Sequence, residues 1–295
     1  MPLWIYLLVL IPLAYGSIYS AIVRGVERMD LYLAYTLCSV LLQVVGTLVA
    51  LRLGAELWHI LLIALLAQIV ATVLLYFLSA SWRFMISFGD LTLEVIRPIW
   101  QVSWAFAGLA ILAVAAAQLP IWVLRLWGTD AELGQFGAAL RLIEGGKIIP
   151  ATLFGAMFPQ MVRGISQSTY YRRLFWGLVG LIGLGVVAGI VLAEPIIFWL
   201  YAGYAPAVAV LRILLLGLIP FVFRLRYSFE LITQGYERPV LLVELLALAL
   251  SLPIYYGLVR FDPLLGTGIA VVVSRTVQVV FLVGCQKTIS FRALG

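Results

Sequence analysis

Residues 57–79, LWHILLIALLAQIVATVLLYFLS, run for 23 positions without a charged side chain. The hydrocarbon core of a bilayer is about 30 Å thick, so a helix rising about 1.5 Å per residue needs about 20 mostly apolar residues to cross it. This run has that length, and Gly54-Ala55-Glu56 marks its start. Outward from it, eight similar stretches lie at about 3–23, 31–53, 98–124, 133–160, 174–195, 206–232, 238–259 and 265–286. The breaks between them carry turn residues or charge, as in Gly128-Thr129-Asp130, Gly235-Tyr236-Glu237-Arg238 and Phe261-Asp262-Pro263. Trp58, Trp82, Trp127, Trp199 and Tyr201 gather near the ends, where amphipathic rings settle at a membrane interface. The reading is an all-α polytopic membrane protein with about nine transmembrane helices.

Composition gives the same answer. Of the 295 residues, 64% are hydrophobic and 11% charged, against about 25% charged in a soluble domain. Such a chain cannot cover itself with polar surface in water, which excludes a soluble enzyme. The net charge is +6, from 17 Arg and 2 Lys against 13 acidic residues, and the basic groups are scattered singly between apolar runs. That is the pattern of loop charges that set membrane orientation, not of a nucleic-acid surface. Cys38 and Cys285 stand far apart in apolar runs, and His59 is the only histidine. Neither a disulfide framework nor a metal site is expected from them, and no cofactor is. The first run has no basic residue before Arg24, so it reads as a span and not as a cleaved signal peptide.

Orientation follows from the basic residues outside the spans. One set of loops carries ten and the other three, which places the C-terminus in the cytoplasm and Met1 outside. An outward Met1 suggests spans before it. An internal repeat points the same way. Leu10-Ile11-Pro12 leads to a Gly25-Val26-Glu27-Arg28 turn, and Leu218-Ile219-Pro220 leads to Gly235-Tyr236-Glu237-Arg238, the two turns being 210 residues apart. Repeats of this kind are common in secondary transporters. On this reading residues 1–80 match the chain from about 206 onward and are the last three spans of a first repeat.

Three stretches carry a resemblance. They are Phe136-Gly137-Ala138-Ala139-Leu140-Arg141-Leu142-Ile143-Glu144 with Ile149-Pro150-Ala151 and Met157-Phe158-Pro159; Tyr204-Ala205-Pro206-Ala207-Val208-Ala209-Val210-Leu211-Arg212; and Gln234-Gly235-Tyr236-Glu237-Arg238. In this order they resemble the polysaccharide and O-antigen flippase branch of the multidrug/oligosaccharidyl-lipid/polysaccharide exporter superfamily. The resemblance implies two six-helix bundles around a central cavity. Residues 1–82 would be the last three helices of the N-terminal bundle, 83–97 a cytoplasmic linker and 98–295 the six-helix C-terminal bundle. It also implies transport without catalysis: a polyprenyl-pyrophosphate-linked glycan flipped by alternating access. The setting would be a bacterial or archaeal plasma membrane, in the building of lipopolysaccharide O-antigen or a related cell-envelope polysaccharide. About three opening spans of that pattern are not in this sequence, so a fragment, a late start, a degenerate copy and a partner chain supplying those spans all fit.

Charge within a bilayer is costly unless it faces protein, water or a partner, so the intramembrane ionisable residues are the site candidates. Arg141, Glu144 and Lys147 repeat at i, i+3 and i+6 on one stripe of a single helix. They suit either a structural ion network or a cationic stripe that attracts a pyrophosphate or acidic glycan, with Arg able to bind it bidentately. Arg275 lies mid-span beside Ser274 and Gln278, which could satisfy it structurally, and a structural role and a substrate role stand level. Arg224, Arg226 and Glu230 cluster towards a span end, with Arg226 and Glu230 at pairing distance along a helix. Gly145-Gly146 before Pro150 suggests close packing or a hinge, and the glycines at 177, 180, 183, 185 and 189 suggest a helix packed closely on a neighbour. No phosphate-binding loop is present around Gly146-Lys147, since Arg141 stands where its first glycine belongs. Energy would then come from an ion gradient, the membrane potential or the substrate gradient. Other readings are a drug or peptidoglycan-lipid exporter of the same superfamily, a non-transporting remnant, and a membrane glycan polymerase. The short external loops count against the last.

Overall fold

The computed structural model describes residues 2–25, 28–78, 92–164, 168–201 and 203–293. The described elements are ten helices: α1 (Pro2–Gly25), α2 (Met29–Arg52), α3 (Leu57–Leu78), α4 (Leu93–Trp127), α5 (Asp130–Val162), α6 (Thr169–Leu200), α7 (Ala207–Leu216), α8 (Leu218–Thr233), α9 (Glu237–Val259) and α10 (Pro263–Ala293). Hydrocarbon offers the backbone no hydrogen-bond partner, so apolar runs of this length bond internally as helices. Seven helical segments among the described residues are long and apolar enough to cross a membrane. The described apolar part of α1, Leu7–Val23, is shorter, and α5 carries the charged stripe. Only 6 to 39% of each spanning window is buried against other helices. The remaining apolar surface, including Leu184 and Val191 at 72 and 69% exposed, needs lipid around it. The protein is an all-α, multi-pass membrane protein.

Two compact units divide the chain, Met1–Thr92 and Leu93–Gly295. Residues 79–91 lie outside the described residues, so most of the linker expected at 83–97 does too, and from Leu93 the chain is already helical. In the first unit α3 packs along both α1 and α2, which touch each other much less. A buried Gln68 on α3 ties it to α2: Ser39 Oγ donates to Gln68 Oε1 at 3.1 Å, and Gln68 Nε2 donates to the Tyr35 hydroxyl at 2.6 Å. One turn on, Thr72 Oγ1 donates to the Pro12 carbonyl of α1 at 3.1 Å. Polar contacts of this kind join helices where lipid leaves little hydrophobic drive between them.

In the second unit α8, α9 and α10 follow the same order. α10 lies along both α8 and α9, while α8 and α9 touch little. Gln278, 210 residues after Gln68, is buried on α10 and bonds to α9. The Gly235 turn has φ +83 and closes through Tyr236 N–H to the Leu231 carbonyl at 3.0 Å. Of the first turn, Val26 and Glu27 lie outside the described residues. The main core packs α5, α6, α7 and α8 around Phe136, Ile143, Tyr171, Phe175, Ile197, Val210 and Leu214.

One expectation gains detail and another changes. The stretch at 206–232 holds as one span, Ala207–Thr233, built from α7 and α8 with Gly217 between them. Pro220 has no N–H to return to the Leu216 carbonyl, and glycine beside it tolerates the break. The glycines of α6 are not at a close helix contact. A Cβ added at Gly177, Gly180, Gly183 or Gly185 would meet nothing within 4 Å, and only at Gly189 would it meet a neighbour, Leu215 Cδ1 at 3.0 Å. Arg172 and Arg173 lie near the start of α6, whose N-cap Ser168 accepts from the Tyr171 N–H at 3.1 Å.

Candidate functional site

The charged helix starts at a reciprocal cap. Thr129 N–H and Oγ1 both donate to Glu132 Oε2, at 2.7 and 2.9 Å, and Glu132 N–H returns to Thr129 Oγ1 at 3.3 Å. This Thr-x-x-Glu box fixes where α5 begins, and Glu144 and Lys147 follow roughly 20–25 Å along its axis at about 1.5 Å per residue. α5 stays helical through Gly145, Gly146 and Pro150. Gly146 brings it close to α8, where an added Cβ would lie 3.2 Å from Leu218 Cδ1.

Glu144 and Lys147 form an ion pair across one turn, the Lys147 side chain largely buried and that of Glu144 half exposed. The Lys147 ammonium also lies 5.6 Å from the Phe221 ring centroid on α8. Three residues along α8, Arg224 Nε donates to Glu244 Oε1 of α9 at 2.9 Å, and Gln278 Nε2 of α10 donates to Glu244 Oε2 at 3.1 Å. Glu244 is 5% exposed, so this interhelical pair is a buried one.

These groups, Glu244 apart, border a cavity of about 400 Å³ inside the second unit. Small residues of α4, Ala113, Ala116 and Ala117, leave the space on one side. Glu144, Lys147, Arg224, Ser251, Tyr255, Ser274, Arg275 and Gln278 supply the polar wall. Of the two readings left open for Arg275, the structural one through its sequence neighbours is not what the structure shows. The Gln278 amide is committed to Glu244. Ser274 Oγ and Arg275 Nη1 are both buried without a hydrogen-bond partner among the described residues. The Phe221 ring, 5.9 Å away, offers the guanidinium a π face only. An arginine at a helix centre costs about 2.5–3.5 kcal/mol on insertion scales, so an unpartnered one is a site feature. The wall itself sets one carboxylate, Glu144, against Lys147, Arg224 and Arg275, and Arg224 is paired with Glu244, which is not part of the wall.

The other candidates lie apart. Arg141 is exposed, outside the cavity wall, and takes no hydrogen bond or ion pair among the described residues. Arg226 Nε donates to Glu230 Oε1 at 2.9 Å, Gln286 Nε2 of α10 donates to Glu230 Oε2 at 3.1 Å, and the guanidinium stacks over the Phe175 ring at 4.3 Å. That second cluster fastens α8 to α6 and α10. Sequence reasoning passed over Ser251 and Tyr255. Their signal is positional: Glu244, Ser251 and Tyr255 stand at i, i+7 and i+11 on the buried face of α9. In a lipid-embedded helix a polar inner face marks a polar interior.

Neither a protein-family model nor a curated protein sequence matches the chain. Solved structures do. A crystal structure of MATE in complex with MaL6 is similar with a TM-score of 0.81 at 16% identity, covering 99% of this chain and 70% of that one. The fold is that of the MATE transporters. A crystal structure of MATE in the straight conformation gives a TM-score of 0.74, again at 16% identity, over 95% of this chain and 67% of that one. At such identity the likeness extends to the fold, and the cavity's chemistry is read from this chain's own residues.

Proposed function

We propose that this protein transports an anionic, lipid-linked oligosaccharide or polysaccharide precursor across a prokaryotic plasma membrane by alternating access, with its C-terminus in the cytoplasm. The observation that carries the reading is the cation-rich cavity within a bundle of MATE-like fold. A transporter of a pyrophosphate-linked glycan needs a water-accessible, positively charged recess at membrane depth, because the head group cannot shed its hydration into hydrocarbon unaided. Guanidinium and ammonium groups supply the charge-assisted donors for it. A second reading, export of a drug, draws on the MATE neighbours, one of which is a complex with MaL6.

The experiment is transport into proteoliposomes, with a fluorescent polyprenyl-pyrophosphate oligosaccharide scored by leaflet accessibility. The unsubstituted chain flips it. Lys147→Gln lowers the rate about tenfold or more, since a hydrogen bond to a charged group contributes about 1.5–3 kcal/mol. Arg141→Gln, outside the cavity wall, has the smaller effect. Competition by cationic drugs without flipping of the glycan lipid would replace the first reading with the second. A Lys147→Gln protein that flips at the unsubstituted rate removes the cavity from the transport path.

A further inference from the structure

Helix α2 carries a polar side chain at a depth where lipid offers it no partner. Gln43 stands nine residues from Arg52 and 13 from Asp30, roughly 14 and 20 Å along the axis at about 1.5 Å per residue. Its side chain is exposed and takes no hydrogen bond among the described residues. The amides of Gln68 and Gln278, by contrast, are buried and bonded to a neighbouring helix. α2 is also the least buried of the described spans, at 6%. An unbonded amide is costly in hydrocarbon, and helices that carry one associate to satisfy it.

Gln43 belongs to a stripe. Leu33, Thr36, Val40, Gln43 and Thr47 recur at alternating steps of three and four residues, the spacing of a seam between two helices inclined by about 20°. The internal repeat shows which helices the fold itself sets against this seam. Gln68 bonds Tyr35 of α2 as Gln278 bonds Glu244 of α9, so Tyr35 and Glu244 hold equivalent places. Thr36 and Gln43 then correspond to Leu245 and Leu252, which are 49 and 52% exposed although α4 and α10 pack against α9. The flank of α9 that is covered includes Ser251, buried, whose counterpart on α2 is Leu42. Helices completing the first unit after the pattern of the second would lie against Leu42 and leave Gln43 in lipid.

We propose that α2 pairs with α2 of a second copy of this chain across a two-fold axis along the membrane normal, Gln43 against Gln43 at the centre. Copies inserted in one orientation present each residue of α2 to its own counterpart at the same depth. The amide is complementary to itself. Its NH2 carries the partial positive charge and its carbonyl oxygen the negative, so two Gln43 side chains exchange a reciprocal pair of hydrogen bonds. An unrelated partner needs a matching polar group at that depth, and lipid chains have none. The pairing makes no use of the charged cavity and stands independently of the transport reading.

The test has two parts, both on the full chain in lipid. In liposomes of increasing lipid-to-protein ratio, energy transfer between differently labelled copies reports self-association. Gln43→Leu weakens it about tenfold, the effect of one to two interhelical hydrogen bonds. Gln43→Asn keeps the amide and retains most of the association. Leucine makes the span more apolar, so Gln43→Leu stays folded and inserted. The second part is oxidative cross-linking in native membranes, with Cys38→Ala and Cys285→Ala as background. Val40→Cys gives a product of twice the chain mass, and Leu42→Cys does not. Unchanged self-association in Gln43→Leu overturns the pairing, as does a dimer formed through Leu42→Cys and not through Val40→Cys. A Val40→Cys product of another mass gives the seam to a different membrane protein and overturns the second copy. A chain that is monomeric at every lipid ratio leaves Gln43 in lipid and overturns the proposal.

Discussion

Glu244→Ala destabilises the second unit by about 3–5 kcal/mol, the loss typical of removing one partner from a buried ion pair. Glu244 is 5% exposed and accepts from Arg224 on α8 and Gln278 on α10. Its removal strands a guanidinium and a side-chain amide among three helices. The energy measured is mostly the penalty of that stranded charge, not the attraction of the pair. Replacing both partners, Arg224→Leu with Glu244→Leu, therefore returns most of the stability, because apolar pairs of similar volume often do as well as a buried ion pair. Unfolding of the purified protein in SDS, followed by tryptophan fluorescence, reads both variants. The control is Asp30→Asn on α2. Asp30 also pairs with an arginine, Arg28 at 2.8 Å, but the two side chains are 61 and 47% exposed. An exposed pair is screened and contributes little, so Asp30→Asn unfolds with the unsubstituted protein. A double Leu variant as unstable as Glu244→Ala would show that the network, and not the stranded charge, sets the cost.

The same network shows what can be read from a chain of this kind. The span at 57–79 became α3 at Leu57–Leu78 because bilayer thickness sets a length that composition alone reveals. The pairing of Arg226 with Glu230, and of Glu144 with Lys147, followed from spacing along one helix, where partners sit three or four residues apart. Glu244 had no such partner, since Arg224 and Gln278 approach it from other helices. No periodicity along α9 states which helix will face it. The break at Gly217 was written in Gly217-Leu218-Ile219-Pro220 but lay within an apolar run of 27 residues, and hydropathy records length without recording bends. The glycines of α6 misled for a related reason. A glycine pattern says that another backbone could approach, and the structure leaves Gly177, Gly180 and Gly183 open. Arg275 was found from its charge. That its neighbours leave it unpartnered depends on Gln278 turning to Glu244, a tertiary fact.

That contrast between glycines gives a second large effect, opposite in sign at two positions for the same substitution. Gly266→Ala destabilises the α9–α10 hairpin by about 2–3 kcal/mol, the upper part of the range for overpacking. An added Cβ there would press on the Leu258 carbonyl oxygen, with the Leu258 carbonyl carbon at 2.7 Å and Val259 N at 3.2 Å. These are backbone atoms at the end of α9, so no rotamer change relieves them. Nor is the start of α10 free to move away. Asp262 Oδ1 accepts from the Leu265 N–H at 2.8 Å, its carbonyl accepts from the Gly266 N–H at 2.8 Å, and Pro263 fixes the first helical φ. Gly183→Ala meets nothing within 4 Å and stabilises by about 0.4–1 kcal/mol, since alanine has less unfolded-chain entropy to lose. Both variants are compared by the same SDS unfolding. If Gly266→Ala proves as benign as Gly183→Ala, the hairpin is looser than these contacts describe. A loss at Gly183 as large as that at Gly266 would restore the tightly packed α6 that its glycine pattern suggested.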